Sequence, residues 1–401
     1  MADQTLAKFV NELSILTLLR TRGPASRAEI ARRLLLTPAT ITRLIGSLAA
    51  RGLVREADDA RAAGTREPGR PGVRVAINAE GAYFLGVEVG FEAVRFALLD
   101  LAAGVVASSE MRIAPTDFTP PAAVDLIARH FGRLARNRRL KGRILGLGVT
   151  LPALLDREGR ILNLPILGWE GLDFRERLEG RIDIPIYMEN DAHAAAFGAV
   201  YTQPTMASVC TLFLRIGTGV GGAAIINSRL FRGAHGTAGL FGHFGGYDSR
   251  GPRCRCGRRG CFEPYVNTEA LARYFHGEEV PAADLDLLPA LVAAEAAAGN
   301  RRAISAIARL ERFLGEGLVS LVNVFNPSVV VLGGAMLPVL GPCLDGLSRA
   351  IASGVFAGVE APELVLSHLG DFDSAIGAAT IAHHNTFDLS RVTLLEPELH
   401  P

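Results

Sequence analysis

At 401 residues the chain is too long for one ordinary core, so two or three domains are expected. With 49% hydrophobic and 21% charged residues it has a globular balance, which excludes a disordered chain. The net charge of +1 hides an asymmetry: residues 1–77 hold 13 Lys/Arg against 7 Asp/Glu, and the remainder holds 29 against 34. A small basic head on a mildly acidic body suits a protein of which one part touches nucleic acid. No apolar run reaches the roughly 18 residues of a membrane span. The opening Met-Ala-Asp-Gln-Thr does not read as a signal peptide. A cytoplasmic protein without membrane contact is therefore expected. Of the five cysteines, three cluster at 254, 256 and 261, a poor disulfide framework and a better metal site.

Three helices are predicted in the head. Leu6 to Arg20 carries Leu6, Phe9, Val10, Leu13, Ile15, Leu16 and Leu19 near helical periodicity, and Gly23-Pro24 stops it. Ser26 begins a second helix, with Glu29 in capping-box position and Ile30, Ala31 and Leu34 inward. Thr37 caps a third, with Pro38 at its first position and Ile41, Leu44, Ile45 and Leu48 as the buried stripe. Two short helices joined by a tight turn form the helix-turn-helix pattern, and the short side chains of Thr37, Ala39, Thr40 and Thr42 let the last helix enter a major groove. Arg43 can reach a guanine edge or a phosphate. Leu53–Arg55 and Val73–Ile77 alternate as strands of a wing, whose Arg- and Gly-rich tip places Arg70 for a minor groove. The same helices also suit a bundle for protein contact; charge and caps favour double-stranded DNA.

From Tyr83 the pattern changes to strand and helix repeats. Strands are predicted at Phe84–Val89, Val94–Asp100, Val105–Ile113 and Ile144–Thr150, with a helix over Pro121–Arg138. A second series runs through Val209–Ile216, Gly221–Ile226 and Leu230–Phe231. Helices at Asn300–Phe325 and Leu340–Ser353 then bracket a strand at Val329–Leu332. Two α/β halves, each opening with a glycine-bearing hairpin, suggest a duplicated fold with a cleft between lobes. The expected units are residues 1–78 as winged helix-turn-helix, 79–192 as a first lobe completed by a helix at about 374–390, and 193–373 as a second lobe.

Gly242-His243, Cys254-Arg-Cys256-Gly257 and Gly260-Cys261-Phe-Glu263 resemble the signature of the ROK family of repressors, open reading frames and sugar kinases. The likeness continues in Glu189-Asn190-Asp191-Ala192, in Gly217-Thr218-Gly219-Val220-Gly221-Gly222 and in Asn326-Pro327 leading to Gly333-Gly334. It implies a two-lobed actin/hexokinase-like (ribonuclease H-like) body. A winged helix-turn-helix in front of it is the arrangement of the family's transcriptional regulators. His243, Cys254, Cys256 and Cys261 supply one imidazole and three sulfurs, a closed tetrahedral set for a structural Zn²⁺. Arg253, Arg255, Arg258 and Arg259 lie beside them to offset the thiolates, and the loop carries an insertion within Phe244–Arg253. Free thiols in a basic loop are the alternative. Cys210 and Cys343 sit in apolar stretches and read as core residues.

By resemblance Asp191 stands where the family's kinases carry the general base, here vestigial. Asn163, Asn190, His243 and Glu263 join it as sugar contacts. Read without the family, Asp191 is an ordinary acid at a helix start. Two departures from the kinase pattern stand out. Leu240 replaces a sugar-contacting Glu, and the loss of a charged acceptor costs on the order of 1.5–3 kcal/mol. The first phosphate loop reads Glu88-Val89-Gly90-Phe91-Glu92, with bulk and negative charge where a backbone should meet phosphate. The expected protein is thus a DNA-binding regulator of carbohydrate-related genes, a homodimer or homotetramer, with a carbohydrate effector in a degenerate cleft and no enzymatic activity. The alternatives are an ATP-dependent sugar kinase with a DNA-binding appendage and a regulator controlled by a protein partner.

Overall fold

Ser26 and Thr37 cap their helices as their sequence positions require. The Ser26 hydroxyl accepts from the Glu29 N–H at 3.2 Å to open α2 (Arg27–Leu34), and Thr37 accepts from the Thr40 N–H at 3.2 Å to open α3 (Pro38–Ala50). The coordinates are those of a computed structural model, which describes every residue except 1, 58–72, 91–92, 114–118, 165–168, 170–172, 204–207, 246–248, 278–284, 286 and 388–401. Before this pair runs α1 (Ala2–Arg22), longer at both ends than its apolar stripe, with Leu13, Ile15, Leu16 and Leu19 buried. The strands β2 (Val54–Glu56) and β3 (Arg74–Ile77) pair antiparallel, and β1 (Ala25–Ser26) adds to the free edge of β3. The expected wing tip with Arg70 lies outside the described residues.

The body opens with a meander of β4 (Tyr83–Val89), β5 (Ala93–Asp100) and β6 (Val105–Arg112), followed by α4 (Pro120–Ala135). β7 (Ile144–Leu151) lies parallel to β4. After a ribbon of β8 (Leu154–Leu155) and β9 (Ile161–Asn163) and the short α5 (Phe174–Glu179), β10 (Ile186–Asn190) lies parallel to β7. α6 (Asp191–Thr202) leads out of this sheet. The second half repeats the plan with β11 (Cys210–Ile216), β12 (Val220–Ile226) and β13 (Arg229–Leu230). Four helices follow: α7 (Glu263–Val266), α8 (Thr268–His276), α9 (Leu288–Ala297) and α10 (Arg301–Phe325). The chain then forms β14 (Val329–Gly333), α11 (Leu337–Gly354), β15 (Glu363–Leu366) and α12 (Asp373–Thr386). The sheets run β10-β7-β4-β5-β6 and β15-β14-β11-β12-β13, the same order when each is counted from its first strand. This is the duplicated α/β body expected from the hairpin-bearing halves.

What joins the halves is α12, rich in Ala and Gly. It lies on the first sheet over Gly86 and Gly148, which are register partners; a Cβ at either would stand 1.9 Å from a carbonyl oxygen of the helix. On its other side Gly377 meets α6, where a Cβ would come 2.0 Å from the Ala194 carbonyl. Backbones this close leave no room for side chains, so the two helices and the sheet pack as one block. Its apolar cluster continues from Phe84, Leu99, Ala199 and Val200 to Leu16, Ile30, Ile41 and Leu48 of the head. Head and body therefore share a core.

Candidate functional site

The third helix of the head presents a free face. Thr37, Ala39, Thr42 and Arg43 are exposed and Thr40 is half-buried. Their hydroxyls are locally engaged: Thr37 and Thr40 meet at 2.9 Å, and Thr42 donates to the Pro38 carbonyl at 2.9 Å. These bonds fix the first turn of α3, leaving methyl groups and the Arg43 guanidinium to face outward. The turn before it holds Leu35 in a left-handed conformation (φ 55°) with its side chain exposed.

Between the lobes lies a cavity of about 60 Å³, room for roughly four waters. Asn190 and His243, both expected in the sugar site, line it together with Leu240, His193 and the Gly221-Gly222 backbone. Asn190 is already partly used. Its Oδ1 accepts from the His193 N–H at 3.0 Å as a helix cap, and its Nδ2 donates to the Ala153 carbonyl at 2.9 Å. Asn163 stands exposed at the end of β9, paired in register with Leu154, which lines the cavity. Glu263 is buried beside the cavity wall, its Oε2 accepting from the Val220 N–H at 2.9 Å. Leu240 is 45% exposed and faces the space where a sugar acceptor was expected to be missing.

Asp191 does not line this cavity. Arg215, on β11, reaches across to it and donates from Nη1 to Oδ2 at 3.2 Å. The same guanidinium donates from Nη2 to Glu88 Oε1 at 2.7 Å and from Nε to Asp373 Oδ1 at 3.0 Å. One cation thus ties both sheets, the first turn of α6 and the first turn of α12. Burial pushes the Asp191 and Glu88 carboxyls up from their ordinary values, and Arg215 works against that push. Next door, Glu189 is buried too, yet the His193 hydrogen bond and the Arg232 guanidinium hold it down to about 2. Phe91 and Glu92, expected to spoil the first phosphate loop, lie outside the described residues.

The His/Cys group closes over residues 243–261. The ligand atoms of His243, Cys254, Cys256 and Cys261 all lie within 4.8 Å of one another. Cys254 Sγ is 3.4 Å from His243 Nδ1, and Cys256 Sγ is 3.6 Å from Cys261 Sγ. A tetrahedron with 2.3 Å metal–sulfur bonds has edges of about 3.8 Å, so the set fits a metal ion. Gly257 (φ 87°) and Gly260 (φ 72°) make the reversals that a side chain would strain. Arg258 donates to the His243 carbonyl and Arg259 to that of Gly251, while Arg255 pairs with Glu269; these arginines brace the loop. Cys210 and Cys343 are buried elsewhere.

The ROK family profile matches residues 84–385, three quarters of the chain. The chain belongs to the ROK family. A MarR family profile matches residues 10–62, the winged helix-turn-helix in front of the ROK body. Over 392 residues this ROK protein is 26% identical to the xylose repressor of Bacillus subtilis (strain 168), covering 97% of this chain and 99% of that one. It is 27% identical over 357 residues to the DNA-binding transcriptional dual regulator NagC of Escherichia coli (strain K12), covering 85% and 86%. A crystal structure of a ROK family transcriptional regulator, a homolog of the E. coli MLC protein, superposes with a TM-score of 0.77 at 23% identity, covering 96% and 99%. That likeness gives the fold. Among the described residues of this ROK protein, no helix is long and apolar enough to cross a membrane.

The sequence reading missed Arg215, Asp373 and His193. A signal existed for Arg215: a single charge inside the apolar run Cys210–Ile216 needs a buried partner. His193 hides in an alanine-rich helix, where its two ring nitrogens meet Glu189 at 3.3 Å and the Ala238 carbonyl at 2.7 Å.

Proposed function

We propose that this ROK protein is a DNA-binding transcriptional repressor of carbohydrate-related genes, and that a carbohydrate effector in the interlobe cleft adjusts its hold on operator DNA. The observation that carries the reading is a pairing within one chain. Thr42 and Arg43 stand exposed on a capped helix, while Asp191, at the position of the family's catalytic base, is held by Arg215. The Asp191 carboxylate is engaged by the Arg215 guanidinium and does not line the cavity, so it is not placed to take a proton from a sugar hydroxyl there. The cleft accordingly senses instead of phosphorylating, and the protein is no enzyme in this reading. Thr37, Thr40, Thr42, Arg43 and Arg70 contact DNA; Asn163, Asn190, His243 and Glu263 surround the effector, with Asp191 at the edge of that site, held by Arg215. The working units are residues 1–78 for DNA, 79–192 with the last helix as one lobe, and 193–373 as the other. A homodimer or homotetramer would set two heads on half-sites one or more helical turns apart.

Zn²⁺ is the metal that His243, Cys254, Cys256 and Cys261 would hold. Four protein ligands leave it no open position, so its part is to fasten the loop carrying His243 and Glu263 to the cleft. A second reading, control by a protein partner, draws support from the exposed Leu240 and from a cavity of only about 60 Å³.

The test is binding of the full chain to the DNA upstream of its own gene, with and without xylose, glucose and N-acetylglucosamine. One sugar should move the half-saturation point about tenfold, within the usual range of allosteric coupling. Arg43→Ala should weaken binding by the roughly 1–3 kcal/mol of a lost base contact. Unchanged binding in Arg43→Ala would remove α3 from the interface. DNA binding indifferent to every sugar would favour the protein partner.

A further inference from the structure

A second and larger cavity lies away from the cleft, where the head meets the body. It measures about 370 Å³, within the range of small-molecule sites. Three helices supply most of its wall: α1 of the head with Leu16 and Arg20, α6 with Phe197 and Tyr201, and the end of α12 with His384 and Phe387 just beyond it. The walls are aromatic and built. Phe197 stacks on Tyr201 at 5.4 Å between centroids, and His384 meets the Phe197 ring edgewise at 5.1 Å. Tyr201 is fixed in turn. Its hydroxyl meets Nδ1 of buried His383 at 2.8 Å, and His383 Nε2 donates to the Leu101 carbonyl at 2.9 Å. Since a carbonyl only accepts, Nε2 carries the proton, and burial, which pushes His383 down to about 4, leaves Nδ1 to accept from the tyrosine O–H.

Arg20 supplies the charge. Its guanidinium lies 3.9 Å over the Tyr201 ring, and Nη1 reaches the Tyr201 carbonyl at 3.4 Å. Among the described residues Arg20 has no carboxylate partner, and none of the lining residues is Asp or Glu. An arginine held over an aromatic ring keeps N–H groups for a planar acceptor.

We propose that this cavity is a binding site for a small planar aromatic anion, a ring system carrying one carboxylate, with the ring among Phe197, His384 and Phe387 and the carboxylate on Arg20. The site is separate from the sugar cleft and does not depend on the effector reading above. It spans head and body, so its ligand touches both.

The test uses the full chain and calorimetry with 2-naphthoate and its neutral isostere 2-naphthamide. Naphthoate should bind at one site per chain, and at least about tenfold more tightly than naphthamide, a difference of about 1.4 kcal/mol. Arg20→Gln should erase that preference, bringing naphthoate down to the affinity of naphthamide for the same variant. Thr17→Trp, an exposed position of α1 on the cavity lining, should block both probes at an unaltered melting temperature. The chain runs 14 residues beyond Phe387, and they are the competing occupant. Naphthoate binding only in a variant ending at Phe387 would give the cavity to those residues and overturn the proposal. No binding of either probe, or binding indifferent to both Arg20→Gln and Thr17→Trp, would overturn it as well.

Discussion

The His/Cys loop and the Arg215 cluster are both polar knots in the ROK body, tied in opposite ways. The first gathers three sulfurs and an imidazole from residues 243–261, donors that satisfy one another poorly without an ion. The second draws Glu88, Asp191, Arg215 and Asp373 from four distant elements, and its opposite charges satisfy one another directly. A knot of donors alone depends on what it binds, whereas a knot of opposite charges, here three carboxylates around one guanidinium, ties the elements whatever is bound. Where the kinase resemblance implies a free base, this protein carries a structural ion pair. The comparison also separates two roles for the cleft walls: one wall carries the His/Cys loop, the other is tied by an arginine.

The largest expected effect is on the metal side. Zinc analysis should find one ion per chain, and Cys256→Ser should lose it together with the order of the loop. Structural zinc sites contribute roughly 10–16 kcal/mol of binding free energy in small peptides. Elemental analysis finding no zinc in protein purified without chelators would remove the distinction between the knots. Next comes Arg215→Met. It strands buried carboxylates and should lower stability by about 3 kcal/mol, the low end for a broken buried pair because Arg215 is one-fifth exposed. A chelator should add to that loss independently. Equal and non-additive losses would mean that the two knots are one unit.

Acid probes the charged side. Glu189 has its carboxyl held down to about 2 against an ordinary 4.5, so its stabilisation is complete above about pH 4.5 and is lost as pH falls toward 2. That amounts to a loss on the order of 3 kcal/mol. Glu88 and Asp191 are raised and act with the reverse sign, their contribution present in acid and lost as pH rises. Urea midpoints of Glu189→Gln should therefore fall less steeply below pH 4.5 than those of the wild type. A steeper fall would assign the acid loss elsewhere. The smallest effect belongs to Leu240→Glu, which restores a charged acceptor at the cavity and should tighten hexose binding about tenfold. Tight hexose binding by the wild type, unchanged in the variant, would show that position 240 is not part of the site.

Much of this was legible from sequence because the signals are local. Ser26 and Thr37 announce their helices within three residues, Cys254-Arg-Cys256 announces its loop, and the glycine hairpin at 217–222 announces the second half. The Arg215 knot was not, because its partners stand 24 to 158 residues away and nothing in an apolar strand names them. The same holds for the seat of α12. Gly86, Gly148 and Gly377 look like ordinary glycines until the backbones they admit are brought together. The cavity between α1 and Tyr201 likewise exists only in three dimensions.

Whether the cleft senses or phosphorylates is decided by nucleotide turnover in the purified full-length chain. With ATP, Mg²⁺ and a panel of hexoses and pentoses, ADP release should stay at background, because Asp191 is bound to Arg215. Sugar-dependent release that disappears in Asp191→Asn would make Asp191 a working base and the protein a kinase.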